Sequence, residues 1–291
     1  MQREMTTEEV QAVSLDILRE VHSFCVENHI KYTLQGGSLL GAVRHKGFIP
    51  WDDDIDIAMP RPDYEKFIHS FCSKQGFKVI SRELSDCKNV MIAFARICDT
   101  QKTYVDTSFI PWTDEKVGVW IDLFPLDGVE DSLATCKKRI NKMKWELYQV
   151  NTLRTVHNAI SSIPETKKKV NLIIKKMVAP FCSHKAIDKY ISMCKEYDYE
   201  IANYYCNFAF LNYGVRERHR KAVMNELTLA PFGEDHFFIM KGYDEALKEK
   251  YGDYMTVPPA EKQVRAHNYN KYYWKEECPP SRYAKENSHS C

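Results

Sequence analysis

Apolar residues recur at three- and four-residue steps from the start of the chain. Val10, Val13, Ile17, Val21 and Phe24 form one stripe, widened by Leu18 and Cys25, so residues 7–29 are expected to form an amphipathic helix. Thr6 and Glu9 fit the reciprocal capping pattern that opens such a helix. The period then changes. Tyr32–Gln35 reads as a short extended piece broken by Gly36-Gly37, and Ser38–His45 as a short helix. Ile55–Met59 reads as a strand closed by Pro60, and Asp63–Lys74 as a helix. Phe77–Arg82, Val90–Ile97, Thr103–Asp106 and Val117–Phe124 read as four more strands, alternating or β-branched, most of them separated by Asp, Asn, Gly or Pro. From about Ser132 to Tyr199 the pattern is helical, punctuated by Pro164 and Pro180. Residues 204–242 are mixed, and Tyr243–Tyr251 is a helix stopped by Gly252. The tail from about Glu276 is polar and expected to be loose.

This order predicts an α+β protein: a mixed sheet with flanking helices, then a helical lobe. The expected division is a catalytic core at 1–130, a helical lobe at 131–203, a segment completing the catalytic unit at 204–275 and a flexible tail at 276–291. No repeat or low-complexity tract interrupts it.

Charge changes the picture of the lobe. Between Lys137 and Lys189 stand thirteen Lys or Arg and three Asp or Glu, whereas the 291-residue chain as a whole carries only +1. A basic segment thus sits in an otherwise acidic protein. It reads as a solvated helical face or as a docking surface for an anionic membrane or a lipid-linked glycan precursor. Ten cysteines are scattered without any CxxC, which excludes a zinc ribbon or a thioredoxin-type motif. The opening MQREMTTEEV has no apolar core of a signal peptide, and no apolar run is long enough to span a bilayer. A cytoplasmic protein is therefore expected, one that meets the inner face of the membrane at most peripherally, with reduced thiols that mostly serve as small buried residues.

The chemistry concentrates in GGSLLGAVRHKGFIPWDDDIDIAMP, residues 36–60. Asp52, Asp54 and Asp56 stand two apart, so in an extended chain they share one face while Ile55 and Ile57 point to the core. Three like charges on one face repel, and a divalent cation is the usual remedy: Mg²⁺ takes hard oxygen ligands, commonly one or two carboxylates plus substrate phosphates. A calcium loop is the competing reading, since Asp52, Asp54, Asp56 and Asp63 match its positions one, three, five and twelve. It fails because its sixth position is Ile57 rather than Gly and its twelfth is not Glu. Upstream, Gly36-Gly37-Ser38 lets the backbone approach an anion and starts a helix whose N–H groups would face a phosphate. Glycine turn, short helix and Asp-x-Asp strand form the arrangement of the nucleotidyltransferase fold, which needs a third carboxylate from a neighbouring strand. In VGVWIDLFPLDG that is Asp122, opposite the aliphatic face, while Asp127 after Pro125 reads as a turn residue.

At these residues the sequence closely resembles the LicD family of phosphocholine transferases, which includes the fukutin-related proteins. The matching pieces are GGSLLGAVRHKGFIPWDDDIDIAMPRPDYEKF (36–67), FARICDTQKTYV (94–105), VWIDLFPLDG (119–128) and YGDYMTVPPAEKQVRAH (251–267). Arg96 stands where a Lys is commoner in the family. The resemblance implies a nucleotidyltransferase-like fold and transfer of phosphocholine or a similar group from CDP-choline or a CDP-alditol. CMP would leave and a phosphodiester would form on a hydroxyl of a glycan precursor, of the lipopolysaccharide or teichoic acid kind. It implies that Asp54, Asp56 and Asp122 hold Mg²⁺ or Mn²⁺ and that Asp52 is the acid before them. Phosphate donors are expected from Gly36, Gly37, Ser38, Arg44, Lys46 and Arg96. The general base is expected to be Asp52 or Asp122, with His45 and His267 as alternatives. The rival readings are a true nucleotidyltransferase, which transfers NMP and releases pyrophosphate, and a non-catalytic nucleotide-binding regulator. No nucleic-acid partner is expected.

Overall fold

A computed structural model describes residues 3–84, 90–106, 113, 116–155, 166–263 and 271–275. Helix α1 (Thr7–Glu27) opens on the expected box: Glu9 N–H donates to Thr6 Oγ1 at 3.3 Å, and Thr6 N–H donates to the Glu9 carboxylate at 2.8 Å. After β1 (Thr33–Leu34) comes α2 (Gly36–Arg44), which starts two residues earlier than its pattern suggests. Then follow β2 (Asp56–Pro60), α3 (Arg61–Ser70), β3 (Phe77–Ile80), β4 (Ala95–Asp99), β5 (Thr103–Asp106) and β6 (Trp120–Val129). The lobe contributes α4 (Leu133–Thr155), α5 (Thr166–Val178) and α6 (Ala186–Cys194). Last come β7 (Tyr204–Cys206), β8 (Arg218–Arg220), a hairpin of β9 (Leu227–Phe232) and β10 (Asp235–Met240), helix α7 (Tyr243–Tyr251) and β11 (Lys271–Trp274).

The main sheet runs β1-β2-β6-β4-β3, with β7 and β8 continuing from the far half of β6. Among the described strands of this sheet only β2 and β6 are parallel; the other pairs are antiparallel. The α+β class is therefore correct, and α1 packs over this sheet with Val10, Val13, Ile17, Leu18 and Val21 in its core. Seven cysteines among the described residues are free, and five of them, Cys25, Cys98, Cys136, Cys194 and Cys206, are buried.

Two strand expectations need correction. The run Val90–Ile97 buries Val90 and Ile92, but only from Ala95 does it join the ladder; Met91 and Ala93 instead pack against Val150, Ile187 and Ile191 of the lobe. Strand β6 does not stop at Phe124 but runs through Pro125 to Val129. Along one edge β6 pairs with β4 up to Leu123 and with β7 from Asp127, leaving a gap at 124–126. Asp122 N–H points the other way, to Ile55 of the β2 side, so by alternation residue 125 would donate into that gap. A proline there forfeits no ladder bond.

Asp127 is accordingly no turn residue. It is 1% exposed and accepts from Arg61 at 2.6 and 2.9 Å, and Arg61 also reaches Glu83 at 3.2 Å. This buried cluster ties the start of α3 to β6. The lobe is fixed in a similar way. Arg139, counted in the basic stretch, is buried and donates to the carbonyls of Gly128, Met193 and Cys194.

Candidate active site

The acidic segment keeps the alternation its spacing predicts. Asp52, Asp54 and Asp56 are partly exposed, while Asp53, Ile55 and Ile57, which follow them in turn, are buried. Ladder register then assembles the site. Asp56 pairs with Asp122 across the parallel β2/β6 junction, and Asp122 pairs with Arg96 across β6/β4. Two carboxylates and a guanidinium thus lie in one row across three adjacent strands.

Arg96 is already engaged within that row. Its Nε donates to Asp122 Oδ1 at 2.6 Å, and its guanidinium carbon sits 4.3 Å from the centre of the Trp120 ring. Both members of this ion pair are largely shielded, with side chains 12% and 16% exposed. Tyr272 of β11 stacks edge-on to Trp120 at 5.5 Å, so the last described strand walls the Arg96 end of the row.

Helix α2 closes the other end. Ser38 Oγ accepts from Asp56 N–H at 2.9 Å, and Gln35 N–H donates to the Asp56 carbonyl at 2.9 Å. Gly36 has φ +56°, a backbone that disfavours other residues, and a Cβ there would lie 2.8 Å from Asp56 Oδ2. A Cβ on Gly37 would lie 2.5 Å from Asp52 Oδ2. The glycines thus admit carboxylates to the first turn of a helix that has no side-chain cap. Partial positive charge at that end favours the approach of anions.

Asp56 carries the electrostatic strain. Desolvation first, then Asp54, Asp122 and Asp52, push its carboxyl well above the usual carboxylate range, and Lys250 of α7 opposes them. Lys250 was not anticipated. It lies one residue before the family-like segment 251–267, is 15% exposed, and holds buried Glu217 at 2.9 Å. Its only sequence signal was that adjacency.

The remaining expected residues are placed elsewhere. Arg44, His45 and Lys46 lie at the C-terminal end of α2, about 13 Å of helix from Gly36. Arg44 donates to the carbonyls of Tyr254 and Thr256, at 2.8 and 3.3 Å. His45 rests edge-on against Trp51, and burial and then Arg44 hold its pKa below the ordinary histidine value. Lys46 bonds the Val43 carbonyl of its own helix. His267 lies outside the described residues.

The donor set is of the chemical kind a hard divalent cation takes: carboxylate oxygens close enough together to raise Asp56. Among the described residues no group of three or more His, Cys, Asp or Glu side chains is placed so that it could by itself hold a metal ion. Mg²⁺ commonly makes do with one or two carboxylates and completes its shell with substrate phosphates and water. Asp54 and Asp56, with Asp122 shared with Arg96, would hold it.

Comparison with known proteins places the chain beside enzymes that transfer phosphorylated groups. Residues 29–156, from the approach to β1 through α4, match the LicD/FKTN/FKRP nucleotidyltransferase domain. Over 93% of its length the chain is 28% identical to the lipopolysaccharide cholinephosphotransferase LicD of Haemophilus influenzae, covering 99% of that protein. It is 46% identical over 132 residues to an uncharacterized protein of Rickettsia typhi, 45% of this chain and 40% of that one. A 30-residue stretch, 10% of this chain, is 57% identical to 6% of the human ribitol 5-phosphate transferase FKRP. The matched domain and the relatives indicate a phosphotransferase. The chain carries this domain at residues 29–156 and is similar to LicD along most of its length.

Proposed function

We propose that this chain transfers phosphocholine, or a similarly small phosphorylated group, from a CDP-linked donor to a hydroxyl of a cell-surface glycan precursor, with CMP as the leaving product. The observation that carries this reading is the row Asp56–Asp122–Arg96 set against the glycine start of α2. It combines clustered hard oxygens with a shielded arginine, the two elements that a diphosphate ester needs for its charge to be neutralised in transit. The relatives' names supply the kind of group moved: cholinephosphate in one and ribitol 5-phosphate in the other. Cytidine rests on the family resemblance and on no base-reading residue.

A bound Mg²⁺ or Mn²⁺ would lower the charge on the donor diphosphate and steady the departing phosphate. The chain's own residues do the rest. Asp54 and Asp56 present the ligand oxygens. Arg96 orients Asp122 through the bond from its Nε, and its guanidinium adds positive charge beside the acids. Asp52 and Asp122 are the candidate bases for the acceptor hydroxyl, and Asp122 Oδ1 accepts from Arg96.

The test is product analysis. Purified protein with Mg²⁺ is incubated with CDP-choline, CDP-ribitol and related donors, and nucleotides are resolved by chromatography. CMP release that depends on a glycan acceptor is expected. Pyrophosphate from CTP or ATP, with no CMP from any CDP compound, would establish a nucleotidyltransferase instead.

A further inference from the structure

Helix α5 is mounted with its apolar face outward. Leu172 is 3% exposed and packs inward, and Lys175 lies on the protein side, donating to Thr155 of α4 at 3.3 Å. The opposite side carries Val170, Ile173, Ile174 and Met177, exposed by 52, 44, 48 and 70%, and Phe181 follows in the next turn at 84%. Their spacing of three and four residues places them in one stripe about 100° wide. A surface helix of a globular protein normally turns such a stripe to the core. Here the stripe faces away, and the helix sequence TKKKVNLIIKKMV holds five lysines and no acid.

We infer that α5 and Phe181 form an interfacial anchor that lies in the plane of an anionic lipid bilayer. Two observations select lipid over a protein partner. The stripe is one helix wide and continuous over about 20 Å, matching a rod laid into the boundary of headgroups and acyl chains rather than a broad interface patch. The charge is of a single sign: Lys169 and Lys176 sit beside the stripe, where they would meet lipid phosphates while the apolar side chains insert. Among the described residues no helix is long and apolar enough to cross a membrane, so contact through this helix is in the plane. The anchor makes charge and apolar insertion act together, unlike a purely electrostatic face, and it does not depend on which donor the acidic row uses.

The experiment is vesicle co-sedimentation of the full chain, at low and high salt, with phosphatidylglycerol vesicles and with phosphatidylcholine vesicles. Three proteins are compared: wild type, Phe181→Glu, and a triple variant Ile173→Glu/Met177→Glu/Phe181→Glu. These positions are exposed and remote from the acidic row, so melting temperature and lipid-free CMP release should match wild type. Wild type is expected to pellet with phosphatidylglycerol, to be only partly released by salt, and to favour it over phosphatidylcholine. The triple variant should lose at least roughly ten-fold in partitioning, with Phe181→Glu between the two. Wild type remaining in the supernatant with phosphatidylglycerol at low salt overturns the inference. So does a triple variant that pellets like wild type, which would mean adhesion by charge alone. A wild-type dimer in gel filtration that the triple variant converts to monomer overturns it too, since a second copy would then cover the stripe.

Discussion

Asp56 and Asp127 are both aspartates of the main sheet, yet they call for opposite expectations. Asp56 is crowded by three other carboxylates, and removing its charge relieves repulsion. Asp54→Asn and Asp56→Asn are therefore expected to abolish CMP release at any Mg²⁺ concentration while the melting temperature holds or, for Asp56→Asn, rises. Turnover near wild type in either variant, read across a Mg²⁺ titration, would remove these residues from the proposed metal site. Asp122→Asn should lose at least about 100-fold in rate, as expected when a group that orients metal or proton is removed. It should also leave Arg96 short of its partner, so a modest drop in stability accompanies the loss. Asp127→Asn should behave differently, because it strands part of the buried Arg61 charge. A loss of about 3 kcal/mol is expected in urea denaturation, the low end for a broken buried pair because Glu83 still answers Arg61. Its Mg²⁺ dependence should be unchanged.

Among the elements, α2 makes the tightest demand on sequence. Gly36→Ala meets both a positive φ and a carboxylate 2.8 Å from its new methyl, whereas Gly37→Ala meets only the Asp52 side chain, which can turn away. Gly36→Ala is thus expected to lower both activity and melting temperature, and Gly37→Ala mainly activity; assays of the two purified variants side by side decide it. The same comparison explains what could be read in advance. Local periodicity revealed α1 with its cap, the Asp-x-Asp-x-Asp face and the end of α7 at Gly252, because each depends on neighbours a few residues away. The β9/β10 hairpin stayed hidden because Leu227–Phe232 shows no clear alternation and contains Pro231. Strand β11 is four residues long and is defined by β5, more than 160 positions earlier. Lys250 reaches the acids, and Asp127 its arginine, only through tertiary contacts that no spacing encodes.

At the scale of the whole molecule, the acidic row draws its walls from distant parts of the chain. Tyr272 of β11 backs the Trp120 and Arg96 end, and Arg44 grips the backbone at Tyr254 and Thr256. Deleting residues 271–291 should therefore abolish CMP release and lower the melting temperature, while deleting 276–291 should leave both intact; equal behaviour of the two truncations would show that β11 is dispensable. The Arg96–Asp122 pair has a consequence of another kind. It works as a built-in counter-ion, so the architecture does not rely on a metal to hold the third acid in place. A chelator should then silence the protein without unfolding it, shifting the melting temperature by little, and activity should return as soon as Mg²⁺ is restored. On that expectation the molecule would behave like a lamp with a removable bulb: it could be stripped, stored and relit, and a cell short of free cation would pause this reaction without having to make the protein again.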